Sequence, residues 1–283
     1  MKREIRNSFA GVMVAASLFA ANTVAAANLK FAVEPTYTEE LAEEVYAPLL
    51  AYLNQATGHN FELVTSRNYH FYWSDLRSRG DIDLAFEEAH FVDYRAQRFG
   101  YQPLVKAAEP TSYSLLTMDP LEDDDALRGL VARRVVCMPA PNLGFALLLE
   151  LYPNPMQQPD VRSAADSWRN TVEIVFAGEA DAAMVPTWLQ NLYPNLYPVH
   201  QTREFAGPAI SASPRLDPAI AEAVKQALLQ LLDDPDMFDV LGDMGVSEFI
   251  EANAAEYAGS EAMLKPFYGY GDDTAPQQEA TAP

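Results

Sequence analysis

The sequence predicts an α/β protein of two similar lobes, each with a mixed, mostly parallel sheet, joined by two crossings of the chain. The main observation is a repeated motif: a helix end, a glycine, an acidic turn and a short apolar strand. The motif occurs at residues 79–86 and again at residues 177–185. Two such units, each late in its half of the chain, indicate two lobes with a ligand cleft between them.

The second observation is that strand-like and helix-like segments alternate along the chain. In the first lobe we predict strands at 29–33, 61–64, 84–86 and 101–105, with helices at 41–55, 69–78 and 89–99. In the second lobe we predict strands at 113–118, 135–138 and 182–185 and helices at 123–130 and 143–151, with residues 172–175 completing the lobe. Helices at 218–232 and 238–257 are expected to pack on the first lobe.

These segments give a division of the chain. Residues 1–26 are predicted to be a signal peptide, because a basic start precedes a short apolar run and small residues. Residues 28–111 form the first part of lobe I, residues 112–206 form lobe II, and residues 207–266 return to lobe I. Residues 267–283 are rich in Gly, Asp, Pro and Gln, and they predict a disordered tail.

Composition and motifs argue against some classes of partner and activity. The chain has 283 residues, 49% of them hydrophobic, and a formal net charge of -21. Such a charge repels nucleic acid and anionic membrane, so neither is an expected partner, and no stable membrane insertion is expected after signal cleavage. A lone cysteine, Cys137, allows no internal disulfide, which fits a periplasmic protein large enough to fold by its core. No catalytic motif is found, so we do not expect an enzyme.

The order of these pieces resembles the PhnD-like phosphate, phosphite and phosphonate-binding proteins of ABC transporters. The resemblance covers residues 28–265. It rests on six segments. The first three are an opening strand with a proline at residues 31–35, a P-L-x-x-Y-L helix at 46–53, and an Asn-Tyr pair at a helix start at 68–69. The others are a G-x-x-D-x-A motif at 80–85, the approach to the second lobe at 127–135, and a second glycine-acid motif at 178–183.

The resemblance implies a periplasmic-binding-protein fold of the venus-flytrap type, with hinges near residues 109–112 and 205–211. It implies capture of a small ligand, an oxyanion or small organic anion, for uptake through an ABC permease, by a monomer without a cofactor. Helix N-termini can hold an anion without a cationic protein. One departure stands out: the family's Ser-Thr-Ser-Gly segment is replaced here by Pro141-Asn142-Leu143-Gly144, which lacks the hydroxyl donors.

Several side chains are candidate ligand contacts. The resemblance places Tyr69 at the ligand, and His70 is next to it in an aromatic run. Tyr37 and Asn142 precede predicted helices, and Thr187 follows a strand of the second lobe. Glu88 and His90 come directly after the third strand, at the end where open α/β sheets bind ligands, although an acidic helix cap is the more ordinary role for that sequence.

Two alternatives remain open. Glu87, Glu88 and His90, with His70, could instead form a metal-ion site, because carboxylates and imidazole are suitable ligands. The protein could also report its ligand to a membrane sensor kinase rather than to a permease, which the sequence does not distinguish.

Overall fold

The computed structural model describes residues 26–78, 80–121 and 126–271. Within them the chain forms two mixed sheets with flanking helices. The strands are β1 (Asn28–Val33), β2 (Asn60–Val64), β3 (Leu84–Glu87), β4 (Gln102–Ala107), β5 (Tyr113–Thr117), β6 (Arg134–Val136), β7 (Asp160–Arg162), β8 (Ala182–Pro186), β9 (Tyr197–Gln201), β10 (Ala209–Ala212) and β11 (Phe249–Glu251). The α-helices are α1 (Glu39–Thr57), α2 (Tyr69–Ser78), α3 (Ala89–Phe99), α4 (Ala126–Gly129), α5 (Leu143–Leu151), α6 (Trp168–Phe176), α7 (Pro218–Leu229) and α8 (Met237–Asp243).

The first sheet has the strand order β11-β4-β10-β3-β1-β2. β1 pairs in parallel with β2 and β3, as expected for strands joined by helical crossovers. β10 pairs antiparallel with both β3 and β4, because it arrives from the other lobe. This order places the ends of β1 and β3 side by side at the edge that faces the second lobe.

Helix α1 shows how the apolar pattern fixes the packing of this lobe. Val45, Leu49 and Leu53 recur at four-residue spacing and are buried against the first sheet. The helix ends at Gly58, whose φ of 74° is left-handed and whose N–H donates to the Asn54 carbonyl. The predicted helix at 41–55 is therefore present and two residues longer at each end.

The second sheet has the order β7-β6-β8-β5-β9. β8 is buried along its whole length, which explains its continuous apolar sequence. Residues 172–175 lie in helix α6, where Val172 and Val175 are buried and Ser167 caps the start by accepting from the Asn170 N–H. The sequence analysis had not identified β7, β9 or β10, which are short or belong to the sheet edge and the return of the chain.

The chain crosses between the sheets twice. It leaves the first sheet after Ala107 and returns to it at Ala209. The two crossings pair with each other: the Thr111 N–H donates to the Phe205 carbonyl at 3.0 Å, and the Phe205 N–H donates to the Thr111 carbonyl at 2.8 Å. The connection between the lobes is therefore a two-stranded ribbon.

The C-terminal region differs from two predictions. The predicted helix at 238–257 is broken into α8, β11 and short 3-10 turns, and the chain leaves α8 through Gly245, whose φ is 72°. The tail was predicted to begin at residue 267, but residues 267–271 are packed. The centres of the Phe267 and Phe145 rings lie 5.9 Å apart, and those of the Tyr270 and Tyr94 rings lie 6.1 Å apart. These aromatic side chains find partners on α5 and α3, which composition alone does not show.

Residues 1–25 and 272–283 lie outside the described residues, and the signal peptide and the remainder of the tail stay predictions. Among the helices that the structure describes, none combines the length and apolar character needed to cross a bilayer.

Candidate ligand-binding cleft

A cavity of about 300 Å³ lies between the two sheets, next to the crossings. The first lobe contributes the turn after β1, the end of β3 and the turn after α8. The second lobe contributes the start of α6 and the end of β8. The residues that line the cavity include Glu34, Tyr37, Tyr46, Phe86, Glu87, Glu88, Glu109, Ser112, Trp168, Thr187, Trp188, Glu204 and Gly245.

Two carboxyl groups lie close together in this cavity. Glu34 follows β1 and Glu88 follows β3, and these strands are paired in parallel with Val33 opposite Phe86. A Glu34 carboxyl oxygen accepts the backbone N–H of Glu88, and the other accepts the Tyr69 hydroxyl at 2.9 Å. The strand order of the first sheet therefore places the two carboxyl groups next to each other.

The Glu88 carboxyl connects the lobes. Its Oε1 accepts the hydroxyl of Tyr113, in β5 of the second lobe, at 2.8 Å. Its Oε2 is buried and has no hydrogen-bond partner among the residues that the structure describes. A buried acceptor without a partner is costly, so this oxygen is a point at which a ligand would gain a hydrogen bond.

The pKa values of both carboxyls are raised. Burial raises the pKa of Glu34 well above its usual range, and the neighbouring charge of Glu88 adds to this effect. Burial also raises the pKa of Glu88 to about 7, against the opposing effect of the Tyr113 hydrogen bond. Without a ligand, the pair therefore holds protons at pH values where free glutamates have lost them.

The raised pKa values predict a pH dependence of stability. Between about pH 4.5 and 7 the folded state retains a proton on Glu88 that the unfolded chain releases, so the free energy of unfolding falls as pH rises. We expect the melting temperature of the ligand-free protein to fall from pH 5 to pH 8, and the fall to be smaller in Glu88→Gln. Exposed Glu109 provides the control, Glu109→Gln, and an equal fall in wild type and Glu88→Gln would contradict the assignment.

Behind this pair lies a complete ion pair. The Nε of Arg95 lies 2.8 and 2.7 Å from the two carboxyl oxygens of Glu87, and both side chains are almost fully buried. The Tyr72 hydroxyl also donates to Glu87, and the guanidinium of Arg95 lies 5.1 Å from the centre of the Tyr101 ring. The charge of Glu87 is thus neutralised within lobe I, unlike the carboxyls of Glu34 and Glu88.

The start of α5, which we expected to hold an anion, is occupied by the protein itself. Oδ1 of Asn142 accepts the Gly144 N–H at 2.8 Å, and Asn142 is fully buried. A Cβ at Gly144 would lie 2.5 Å from the Tyr113 ring, so this ring covers the helix start. Asn142 is therefore not among the cleft-lining residues.

The histidines lie elsewhere. His90 is fully buried, and its Nε2–H donates to the carbonyl of Pro141, in the second lobe, at 3.1 Å. Burial lowers the pKa of His90 to about 3, so its ring is neutral. His70 is exposed on α2. With Glu87 bound to Arg95, the proposed metal ligands do not converge, and the described residues contain no group of three side chains suited to hold a metal ion.

The structure thus separates the sequence-predicted residues into two groups. Tyr37, Glu88 and Thr187 line the cavity; the Tyr37 hydroxyl donates to the Asp243 carbonyl, and Thr187 shares hydrogen bonds with Ser112 at 3.0 Å and Ser114 at 2.9 Å. Tyr69, His70, His90 and Asn142 do not line it. Tyr69 is fully buried behind the wall and acts on the cavity only through Glu34.

The sequence analysis missed most of the lining residues, and Glu34, Trp168 and Trp188 are among those it missed. Glu34 could have been found, because it follows the first strand just as Glu88 follows the third, at the end where such sheets bind ligands. Trp168 is the first residue of α6, and Trp188 is the second residue of the 3-10 turn after β8. Their position depends on how the second lobe folds over the first, and no local pattern marks it.

Comparisons with known proteins agree on the fold. The model of the phosphonate ABC transporter periplasmic substrate-binding protein family matches residues 31–257. No curated protein sequence matches the chain. PhnD1 of Prochlorococcus marinus, solved with methylphosphonate, has a TM-score of 0.71 at 16% identity, over 84% of this chain and 97% of that one.

Two further solved structures share the architecture. A Xanthomonas citri protein bound to ATP has a TM-score of 0.64 at 17% identity, over 88% of this chain and 99% of that one. A binding protein component of an ABC phosphonate transporter from Pseudomonas aeruginosa has a TM-score of 0.64 at 13% identity, over 87% and 97%. At these identities the structures establish the two-lobe fold. Since the family model spans most of the sequence, the chain belongs to the periplasmic substrate-binding proteins of phosphonate-type ABC transporters.

Proposed function

We propose that this protein captures one small solute in the cleft between its lobes and presents the closed form to the membrane complex of an ABC transporter. The observation that carries the proposal is a cavity between the lobes with side chains from both lobes around it. Its volume suits a small molecule rather than a polymer. Closure is the signal that a transporter partner would read.

Three contacts hold the lobes together around the cavity. The Tyr113 hydroxyl donates to Glu88, and His90 donates to Pro141, on the inner side. At the mouth, the Trp188 ring packs on Gly245: a Cβ there would lie 2.9 Å from the ring. Each contact joins a residue of one lobe to a residue of the other, so each must break when the cleft opens.

The finer parts of this proposal go beyond family membership. We propose that the protein works as a monomer, is exported to the periplasm by residues 1–26, and binds without chemical turnover. Tyr37, Glu88 and Thr187 are the proposed ligand contacts from the sequence analysis, joined by Glu34, Trp168 and Trp188. An oxyanion is the ligand that the resemblance implies, and a sensor kinase as partner stays a prediction that no feature of the cleft favours.

Closure gives a direct test of the function. Two of the chain's three tryptophans line the cavity, so a solute that closes the lobes should change their fluorescence. We expect Gly245→Ala to weaken solute binding about tenfold, since the methyl group meets the Trp188 ring and a φ of 72° strains alanine. Fluorescence titration and calorimetry measure the affinity.

Gly178→Ala serves as the matched control. Gly178 has the same φ of 72° but has open space around the Cβ position. It should retain wild-type affinity while bearing a similar backbone strain. Equal affinities of Gly245→Ala and wild type would show that the mouth contact plays no part in capture, and the absence of any solute that changes Trp188 fluorescence would contradict the function itself.

A further inference from the structure

The cleft has the wrong charge for an anion. Its described lining residues include several glutamates, and they include no lysine or arginine. Glu87 has Arg95 as a partner, but Glu34 and Glu88 form no ion pair within the described part of the chain. A basic side chain, Arg169, lines an adjoining cavity of about 540 Å³ that shares Tyr37, Trp168 and Trp188 with the first.

At three helix starts, those of α3, α5 and α6, a side chain already satisfies one backbone donor. At α3 a carboxyl oxygen of Glu34 accepts the Glu88 N–H, the position that an anionic ligand would take. At α5 the Asn142 side chain accepts from Gly144, and at α6 the Ser167 hydroxyl accepts from Asn170 at 3.1 Å. At each of these three starts, one backbone N–H that an oxyanion would use is therefore taken by one of the protein's own oxygen atoms.

The walls of the cavity suit the opposite charge. Aromatic rings of Tyr37, Tyr46, Trp168 and Trp188 surround it. Such rings attract a cation through their negative faces, and the effect is stronger when water is excluded. The buried Oε2 of Glu88 adds an acceptor without a partner.

We propose that the ligand of this cleft is a small organic cation with N–H donors, such as a protonated amine or an amidinium group, held by the carboxylates of Glu34 and Glu88 between aromatic rings. The inference rests on the proposed function, since it names the ligand class of the same site. Binding places the N–H group at Oε2 of Glu88 and draws both carboxyls into their ionised form. The protons that the empty site holds are released to solvent.

The test is calorimetry and tryptophan fluorescence with defined probes at pH 7.5. The cationic probes are methylammonium, 1,4-diaminobutane and agmatine; the anionic probes are methylphosphonate, phosphate and acetate. We expect at least one cationic probe to bind and change the fluorescence, and tetramethylammonium, which lacks N–H donors, to bind at least tenfold more weakly than that probe. Calorimetry in two buffers of different ionisation enthalpy should show proton release.

Variants connect the effect to the carboxyl pair. We expect Glu88→Gln to weaken the cationic probe at least tenfold. Glu43 is exposed on α1 and does not line the cleft, so Glu43→Gln should change the affinity less than threefold. Melting of ligand-free Glu88→Gln at pH 8 checks that it is folded, and the raised pKa of Glu88 gives reason to expect it to be at least as stable as wild type there.

The possible failures are distinguishable. If methylphosphonate or phosphate changes Trp188 fluorescence and no cationic probe does, the inference is overturned while capture by closure stands. Proton uptake on anion binding would also overturn the inference, because it would mean that the protonated carboxyl groups of Glu34 and Glu88 donate hydrogen bonds to the anion. An unchanged affinity in Glu88→Gln, or no response to any cationic probe, also overturns the inference.

Discussion

Replacing Arg95 with methionine is expected to lower the free energy of unfolding by about 3–5 kcal/mol. Arg95 and Glu87 form an almost fully buried ion pair, in which Nε of Arg95 lies within 2.8 Å of both carboxyl oxygens of Glu87. Methionine fills much of the arginine volume but leaves the buried Glu87 carboxylate without its counterion. The cost is that of an unpaired buried charge, which is much larger than the loss of a surface ion pair. Urea unfolding at pH 7, followed by circular dichroism, measures the change.

The double variant Glu87→Gln/Arg95→Met separates charge from packing. It removes both charges and keeps a polar group for the Tyr72 hydroxyl. We expect it to recover more than half of the loss, since replacement of a complete buried pair is often close to neutral. A single variant that unfolds at the wild-type urea concentration would show that the pair contributes nothing to stability.

Replacing Gly207 with alanine should cost about 1–3 kcal/mol in the free energy of unfolding and should also disturb closure. Gly207 lies in the return crossing, where a Cβ would come within 2.3 Å of the Glu109 carbonyl oxygen and 2.6 Å of that of Ala107. Both atoms are backbone, so no side-chain rotation relieves the overlap. The Gly207 carbonyl also accepts the Tyr257 hydroxyl at 2.8 Å, which holds the crossing in place.

The control is Gly242→Ala in helix α8, because a Cβ at Gly242 meets nothing within 4 Å. Alanine is a better helix former than glycine, so this variant should be as stable as wild type or slightly more so. Thermal unfolding compares the two variants, and solute titration reports closure. A stable Gly207→Ala protein with unchanged solute affinity would show that the crossings have room to adjust.

Repetition and local pattern were enough to predict the two-lobe fold. The glycine-acid-strand motif at 80–86 and 178–185 marks β3 and β8, and the spacing of Val45, Leu49 and Leu53 marks α1. These signals are local, since a helix face or a buried strand is written in consecutive residues. The return strand β10 was missed because its pairing depends on a chain segment about a hundred residues distant.

The contents of the cleft were harder to predict. Glu88 was selected by its position after β3, but its partner Glu34 becomes visible only when β1 and β3 are known to be neighbours. Tyr69 was selected by resemblance, and it lies behind the wall because Glu34 occupies the place in front of it. The exchange of hydroxyl donors for Pro141-Asn142-Leu143 was one sequence signal that agrees with the ligand class proposed above.

The stretch of residues 260–271 contacts both lobes. In lobe I, the Glu261 N–H donates to Asp93 at 2.9 Å and the Trp73 indole donates to the Tyr268 carbonyl at 2.8 Å. In lobe II, Phe267 packs on Phe145. The hinge therefore has a third connection that is not part of the crossings. A purification tag, a surface or a neighbouring protein attached to the carboxyl end would pull on a segment that contacts both lobes. It would therefore change how easily the lobes separate.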